Sequence, residues 1–215
     1  MIRMHTIPVI NCATRECAEE KLRKIQEIGA PWAHIDITDG KFSKTATWHD
    51  ANTYKDGGVL LEVHLMVTHP ELVVDEWLAV RAKRIIVHVE SFAGRDANIL
   101  HEISMKCKKN GTELMLSQNP DTRVEKFFEH AGSVDSFQLL AVQPGPSGQG
   151  FDERIIKKIE ILHEKMPNVI IEFDGGVNKE VAVRVRNAGA DIVIASSYIW
   201  GSVNPRIAFA TLSGI

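Results

Sequence analysis

The chain has 215 residues, 44% of them hydrophobic, enough to bury a sizeable core in one large domain or two small ones. With 25 basic against 28 acidic residues the formal charge is −3, and no long basic run occurs, so a nucleic-acid partner is not expected. No apolar run approaches the roughly 18–20 residues of a membrane span, and residues 1–5 lack the apolar stretch of a signal peptide, so no membrane partner and a cytoplasmic location are expected. Cys12, Cys17 and Cys107 are odd in number and scattered, which reads as reduced thiols; no Cys-x-x-Cys pair offers a thiolate zinc site.

Short runs rich in Val, Ile and Leu predict strands over 6–12, 32–38, 59–67, 84–90, 113–118, 136–143, 168–174 and 190–196. Helical spacing fills most of the gaps: 15–28, 70–82, 93–108, 121–131, 151–166, 178–188 and 204–212. In the first of these, Ala18, Leu22, Ile25 and Ile28 share one face; the second follows Pro70. Gly29, Gly111, Gly132 and Gly189 stand where helices should stop. The segment 43–58 is weakly patterned and has room for only a short helix. Eight strands alternating with helices, with no linker or composition break, predict a single (β/α)₈ TIM barrel over residues 1–215. An open doubly wound sheet is the competitor, but no Gly-x-Gly-x-x-Gly follows the first strand.

Polar residues gather at the C-terminal ends of these strands, where barrel enzymes place their chemistry. In the second strand His34 and Asp36 share a face, with Ala33, Ile35 and Ile37 on the other. His64 follows Glu62 on one face of the third strand, and the seventh ends at Asp174 before Gly175-Gly176. Together His34, Asp36, His64 and Asp174 make a mixed nitrogen and oxygen set suited to one divalent ion: zinc, iron, manganese or cobalt. Asp36 and Asp174, on opposite walls of the mouth, could also carry protons to opposite faces of a substrate.

A glycine-rich set follows strands six to eight: Gly145, Ser147 and Gly148; then Gly175 and Gly176; then Ser196 and Ser197. Loops at these positions in barrels bind phosphate through backbone N–H groups, which glycine lets approach closely.

The motifs resemble the ribulose-phosphate 3-epimerase family along nearly the whole chain. The carrying stretches are His-Ile-Asp-Ile-Thr-Asp-Gly-Lys-Phe at 34–42, Val-His-Leu-Met-Val at 63–67, Pro-Gly-Pro-Ser-Gly-Gln at 144–149, and Ile-Glu-Phe-Asp-Gly-Gly-Val at 171–177; Ala-Gly-Ala-Asp at 188–191 is a weaker match. The resemblance implies a barrel of the ribulose-phosphate-binding type. It implies metal binding by His34, Asp36, His64 and Asp174, with Asp36 and Asp174 as general acid and base. It also implies that Met66 caps the substrate and that His88 lies near the site. The chain departs from the family at Val9, Thr38, Leu140, Pro146, Ser147 and Ser196, which puts the identity of the sugar in question more than the reaction.

The expected activity is metal-dependent C3 epimerisation of a ketopentose phosphate, D-ribulose 5-phosphate to D-xylulose 5-phosphate, through an enediolate. The alternatives are an epimerase of another ketose phosphate, such as a ketohexose 6-phosphate, and a barrel that binds a phosphorylated ligand without turnover. A phosphorylated ketose is the expected partner, and a homo-oligomer the expected assembly. His5, His101, His130 and His163 read as solvated, and Trp32, Trp77 and Trp200 as packing residues. Trp48, in the loop after strand two, is a further candidate for substrate contact.

Overall fold

The computed structural model describes residues 4–55, 58–96, 98–130, 132–145 and 148–215. Eight parallel strands close on themselves in chain order: β1 (His5–Ile10), β2 (Trp32–Thr38), β3 (Leu60–Met66), β4 (Arg84–His88), β5 (Glu113–Gln118), β6 (Ser136–Leu140), β7 (Ile170–Asp174) and β8 (Ile192–Ala195). The helices between them are α1 (Arg15–Ile28), α2 (Val74–Ala79), α3 (Asn98–Asn110), α4 (Glu125–Phe128), α5 (Arg154–Lys165) and α6 (Lys179–Ala188); α7 (Ser197–Trp200) and α8 (Pro205–Ser213) follow β8. This is the expected TIM barrel.

Period-two alternation divides each strand between two environments. Ala33, Ile35 and Ile37 of β2 join the large core between barrel and helices, where Leu22 and Ile25 of α1 and Trp77 of α2 also sit. Burying an Ile or Leu side chain of this kind fully contributes about 1.5–3 kcal/mol. The inward residues form a different lining. On the β1 and β8 side Ile7, Val9, Ile192 and Ile194 make a small apolar cluster of their own. On the β2 to β7 side the lining is polar, with His34, Glu62, His64, His88, Ser117, Gln138 and Glu172 all buried.

Local signals explain the boundaries. Thr14 caps α1 by accepting the Cys17 N–H, and Gly29 ends it at φ 77°. Asn178 caps α6 in the same way, and Gly189 ends it. Three helical regions are shorter than their spacing predicts. Region 70–82 splits into a 3₁₀ turn, Pro70–Leu72, and α2. Region 93–108 begins only at Asn98, because Gly94 takes φ 71° and breaks the path. Region 121–131 keeps only α4, since the carbonyls of Pro120 and Thr122 accept from the Lys158 ammonium instead of a following helical turn. Segment 43–58 holds the 3₁₀ turn Ala51–Tyr54, and the short helix α7 lies where the sequence reading ended β8.

The cysteine expectation is corrected. Cys12 and Cys17 form a disulfide, because the end of β1 and the first turn of α1 bring their Cα atoms to 5.7 Å. Cys107 alone is free and buried, and burial pushes its thiol up to about 11. The bridge closes a short loop, so reduction or Cys17→Ser should lower the unfolding free energy by about 2 kcal/mol. Urea unfolding with and without reductant measures this; superimposable curves would show that the bridge does not form in solution.

Candidate active site

The parallel register between β2 and β3 sets Asp36 beside His64 and Thr38 beside Met66 at the mouth of the barrel. His34 lies one inward step below Asp36, and β7 delivers Asp174 to the same level. Their facing atoms converge. His34 Nε2 is 3.2 Å and His64 Nδ1 is 3.4 Å from Asp36 Oδ1. The same nitrogens lie 3.9 Å and 3.7 Å from Asp174 Oδ2. All four atoms fall within 4.8 Å of one another, a cluster that could hold a metal ion. β2 and β7 are three positions apart around a ring of eight, one short of diametrically opposed, so the two carboxylates converge from well-separated sides of the mouth.

The outer nitrogens of both imidazoles are committed. His34 Nδ1 lies 2.6 Å from Glu62 Oε1. A carboxylate only accepts, so Nδ1 carries a proton, and in the neutral imidazole Nε2 presents a lone pair. On the other side His88 Nδ1 is 3.1 Å from Glu90 Oε2, and His88 Nε2 is 2.8 Å from His64 Nε2. Glu90 makes His88 Nδ1 the donor, so His88 Nε2 accepts from His64 Nε2–H. His64 Nδ1 is then left as a lone pair facing the cluster. Consistently, His34 Nε2, Asp36 Oδ1 and His64 Nδ1 are buried atoms with no hydrogen-bond partner. Such atoms are costly to leave unmet, and a cation at their centre would satisfy all three.

With these side chains alone, burial pushes Asp36 up, but its contacts with His34 and His64 reverse this and hold it well below the usual carboxylate range. Burial, followed by the negative charge of Asp36, pushes Asp174 up to about 7. Burial likewise lowers His64 to about 4, whereas for His34 the contacts with Asp36 and Glu62 outweigh burial and raise it. The two carboxylates are thus pushed in opposite directions from the usual carboxylate range.

Below the cluster runs a buried polar chain. Arg84 pairs with Glu62 Oε2 through Nη1, which is also 3.6 Å from Glu172 Oε2. Gln138 donates to Glu172 at 3.0 Å and accepts from Ser117 at 2.6 Å. His34, Glu62 and Glu172 also have the spacing of a metal triad, but the Arg84 guanidinium already supplies their countercharge.

Above the cluster a cavity opens, lined by Asp36, Asp174, Met66 and Leu140. Its far wall is Gly145, Gly148, Gly175, Gly176, Ser196 and Ser197. The two adjacent glycines are obligatory: a Cβ on Gly175 would meet Val142 at 2.9 Å, and one on Gly176 would meet Phe151 at 2.7 Å. The structure therefore brings every sequence-predicted site residue to one place except Ser147, which with Pro146 lies outside the described residues. His88 is behind His64, as expected. Trp48 does not line the cavity; it donates to Thr53 and packs on the core. Sequence reasoning missed Glu62, Glu90 and Asn11. Asn11 shares the inward alternation of Val9, and its Nδ2 donates to Asp36 Oδ2 at 2.9 Å; that alternation was the available signal.

The sequence matches the ribulose-phosphate 3 epimerase family over residues 6–200. The chain belongs to that family. A ribulose-phosphate 3-epimerase from Chlamydia muridarum is 34% identical over 96% of this chain and 93% of its own. One from Schizosaccharomyces pombe is 25% identical over 87% and 83%. Among solved structures, a 3-hexulose-6-phosphate synthase shares the fold at TM-score 0.73 and 16% identity, over 98% of this chain and 99% of that one. As a ribulose-phosphate 3-epimerase family member, the chain is an epimerase-type isomerase.

The buried network generates a stability prediction. Arg84→Met removes the guanidinium beside Glu62 and should cost about 3–5 kcal/mol, because it leaves Glu62 Oε2 buried without its partner while only Oε1 keeps a contact, to His34. Denaturant unfolding measures this; a loss below about 1 kcal/mol would show that the Glu62 charge is met elsewhere.

Proposed function

We propose that this protein epimerises a ketopentose phosphate at C3, interconverting D-ribulose 5-phosphate and D-xylulose 5-phosphate. The observation that carries the reading is geometric: two carboxylates, Asp36 and Asp174, from two different strands meet at the same two histidines at the barrel mouth. Two acidic groups that reach one reacting centre from different strands are what a two-base epimerisation needs.

Asp36, as carboxylate, removes the C3 proton from one face. Asp174, carrying a proton, delivers it to the other face, and the roles reverse in the return direction. His34, Asp36, His64 and Asp174 would hold one divalent ion of the zinc, iron, manganese or cobalt type. That ion, when bound, supplies the positive charge that stabilises the negative charge developing on the substrate oxygens. Glu62 holds His34 in the ligating tautomer, and the His88–Glu90 pair does the same for His64. Met66, Leu140 and Val9 form an apolar wall that keeps water from the reacting carbon. The phosphate is anchored along Gly145, Gly148, Gly175, Gly176, Ser196 and Ser197, with Ser147 in the same loop. Val9 and Leu140, both departures from the family pattern, line the cavity, and this favours a second reading in which the sugar is a different ketose phosphate, such as a ketohexose 6-phosphate. A homo-oligomeric assembly and a cytoplasmic location belong to the same proposal; a relative from rice, 30% identical, is named as a cytoplasmic isoform.

A steady-state assay of the ion-loaded protein over pentulose and hexulose phosphates, run in deuterated water, tests the reading. The pentulose phosphates should be turned over with solvent deuterium at C3 of the product, and ribulose without its phosphate should be a poor substrate. Binding without turnover across the panel would leave only a phospho-ligand-binding barrel. A second expectation concerns pH. An incoming ion competes with protons for the cluster-facing atoms, Asp174 Oδ2 and His34 Nε2, so ion affinity should rise as pH increases through about 7. Competition against a chelator reads this out; an affinity flat between about pH 6 and pH 8 would contradict the ligand set.

A further inference from the structure

Asn11 stands just past the end of β1, half-buried, with its side chain lining the cavity beside Asp36. Its amide nitrogen donates twice: to Asp36 Oδ2 at 2.9 Å and to the Gly145 carbonyl at 3.2 Å. Both partners are acceptors only, so the orientation of the amide is determined and not a free choice of rotamer. The Asp36 oxygens therefore have separate surroundings. Oδ1 faces His34 and His64 in the ion cluster, and Oδ2 faces Asn11. If Oδ1 is committed to an ion, Oδ2 is the oxygen left to take and return a proton.

We propose that Asn11 is a positioning residue for the acid–base chemistry: it aims Asp36 Oδ2 at the reacting carbon and ties that oxygen to the loop after β6 that lines the phosphate end of the cavity. The inference rests on the epimerase reading. A hydrogen bond from a neutral amide to a carboxylate is among the stronger neutral-donor contacts, and it holds one lone pair of Oδ2 while the other stays free. The second donation, to Gly145, is what fixes the amide itself. Positioning of this kind is worth most in the transition state, since a small misalignment of a proton carrier weakens transfer far more than it weakens binding. Among the described residues Asn11 hydrogen-bonds to Asp36 Oδ2 and Gly145, not to Asp174 or the ion-facing oxygen, so its effect falls on one of the two proton transfers.

The test uses Asn11→Leu, which keeps the size and removes the donor, and Asn11→Asp, which keeps the shape and turns the donor into an acceptor facing a carboxylate. Asn11→Ala replaces either variant if it does not fold. Ion content by chelator competition should match the wild type in Asn11→Leu. Its kcat should fall about tenfold or more with KM nearly unchanged. Asn11→Asp should be the slower of the two; a residue needed only as polar filling would rank Asp above Leu. The decisive readout is the primary isotope effect with C3-deuterated substrate, measured from each epimer. The two directions share one overall equilibrium, so rates alone cannot separate the faces. Slowing the Asp36 step in Asn11→Leu should raise the isotope effect from one epimer and not from the other. An equal change from both epimers, a wild-type kcat, or loss of the ion along with activity would overturn the inference. Wild-type protein that places no deuterium at C3 would instead overturn the epimerase reading, and this inference with it.

Discussion

Everything at the mouth of this barrel depends on where two imidazoles keep their protons. His34 and His64 are fully buried, and each has its outer nitrogen tied to an acceptor, Glu62 directly and Glu90 through His88. In the neutral imidazoles, acceptors on the outside force the lone pairs inward, toward the same pair of aspartates. An amide or hydroxyl in place of Glu62 would leave either tautomer open. The carboxylate removes that ambiguity, and Arg84, beneath it, makes a buried carboxylate tolerable.

The same constraint separates the two aspartates. Asp36 lies close to both imidazoles and stays ionised, while Asp174 is farther from them and meets the charge of Asp36. Two carboxylates converging on one point cannot both ionise freely without a cation between them, so the proton affinity of one is pushed up. The cavity above them adds direction. Its apolar side comes from Val9, Met66 and Leu140, and its glycine side from backbone that no side chain could share.

Much of this could be read in the sequence, for identifiable reasons. Alternation within strands exposed His34, Asp36, His64 and Asp174 as inward residues at strand ends, and apolar runs marked all eight strands. The supporting partners were not legible. Glu62 is adjacent to His64 on its face, but whether it meets His34 depends on the register between β2 and β3, which spacing within one strand does not contain. The Arg84 contact with Glu172 crosses the barrel and depends on closure. Helix lengths were overestimated where tertiary contacts compete with periodicity, as Lys158 does for the carbonyls before α4. The cysteine pair was missed because five residues of separation indicate no bridge until the turn from β1 into α1 is known.

The central claim is that two lone pairs and two carboxylates converge to hold an ion, and X-ray absorption at the edge of a bound divalent transition ion tests it most directly. The protein loaded with one ion per chain should show nitrogen and oxygen ligands at about 2.0–2.2 Å, with outer-shell scattering from two imidazoles. His64→Ala should remove the contribution of one imidazole. A spectrum without imidazole scattering, or one unchanged by His64→Ala, would contradict the account.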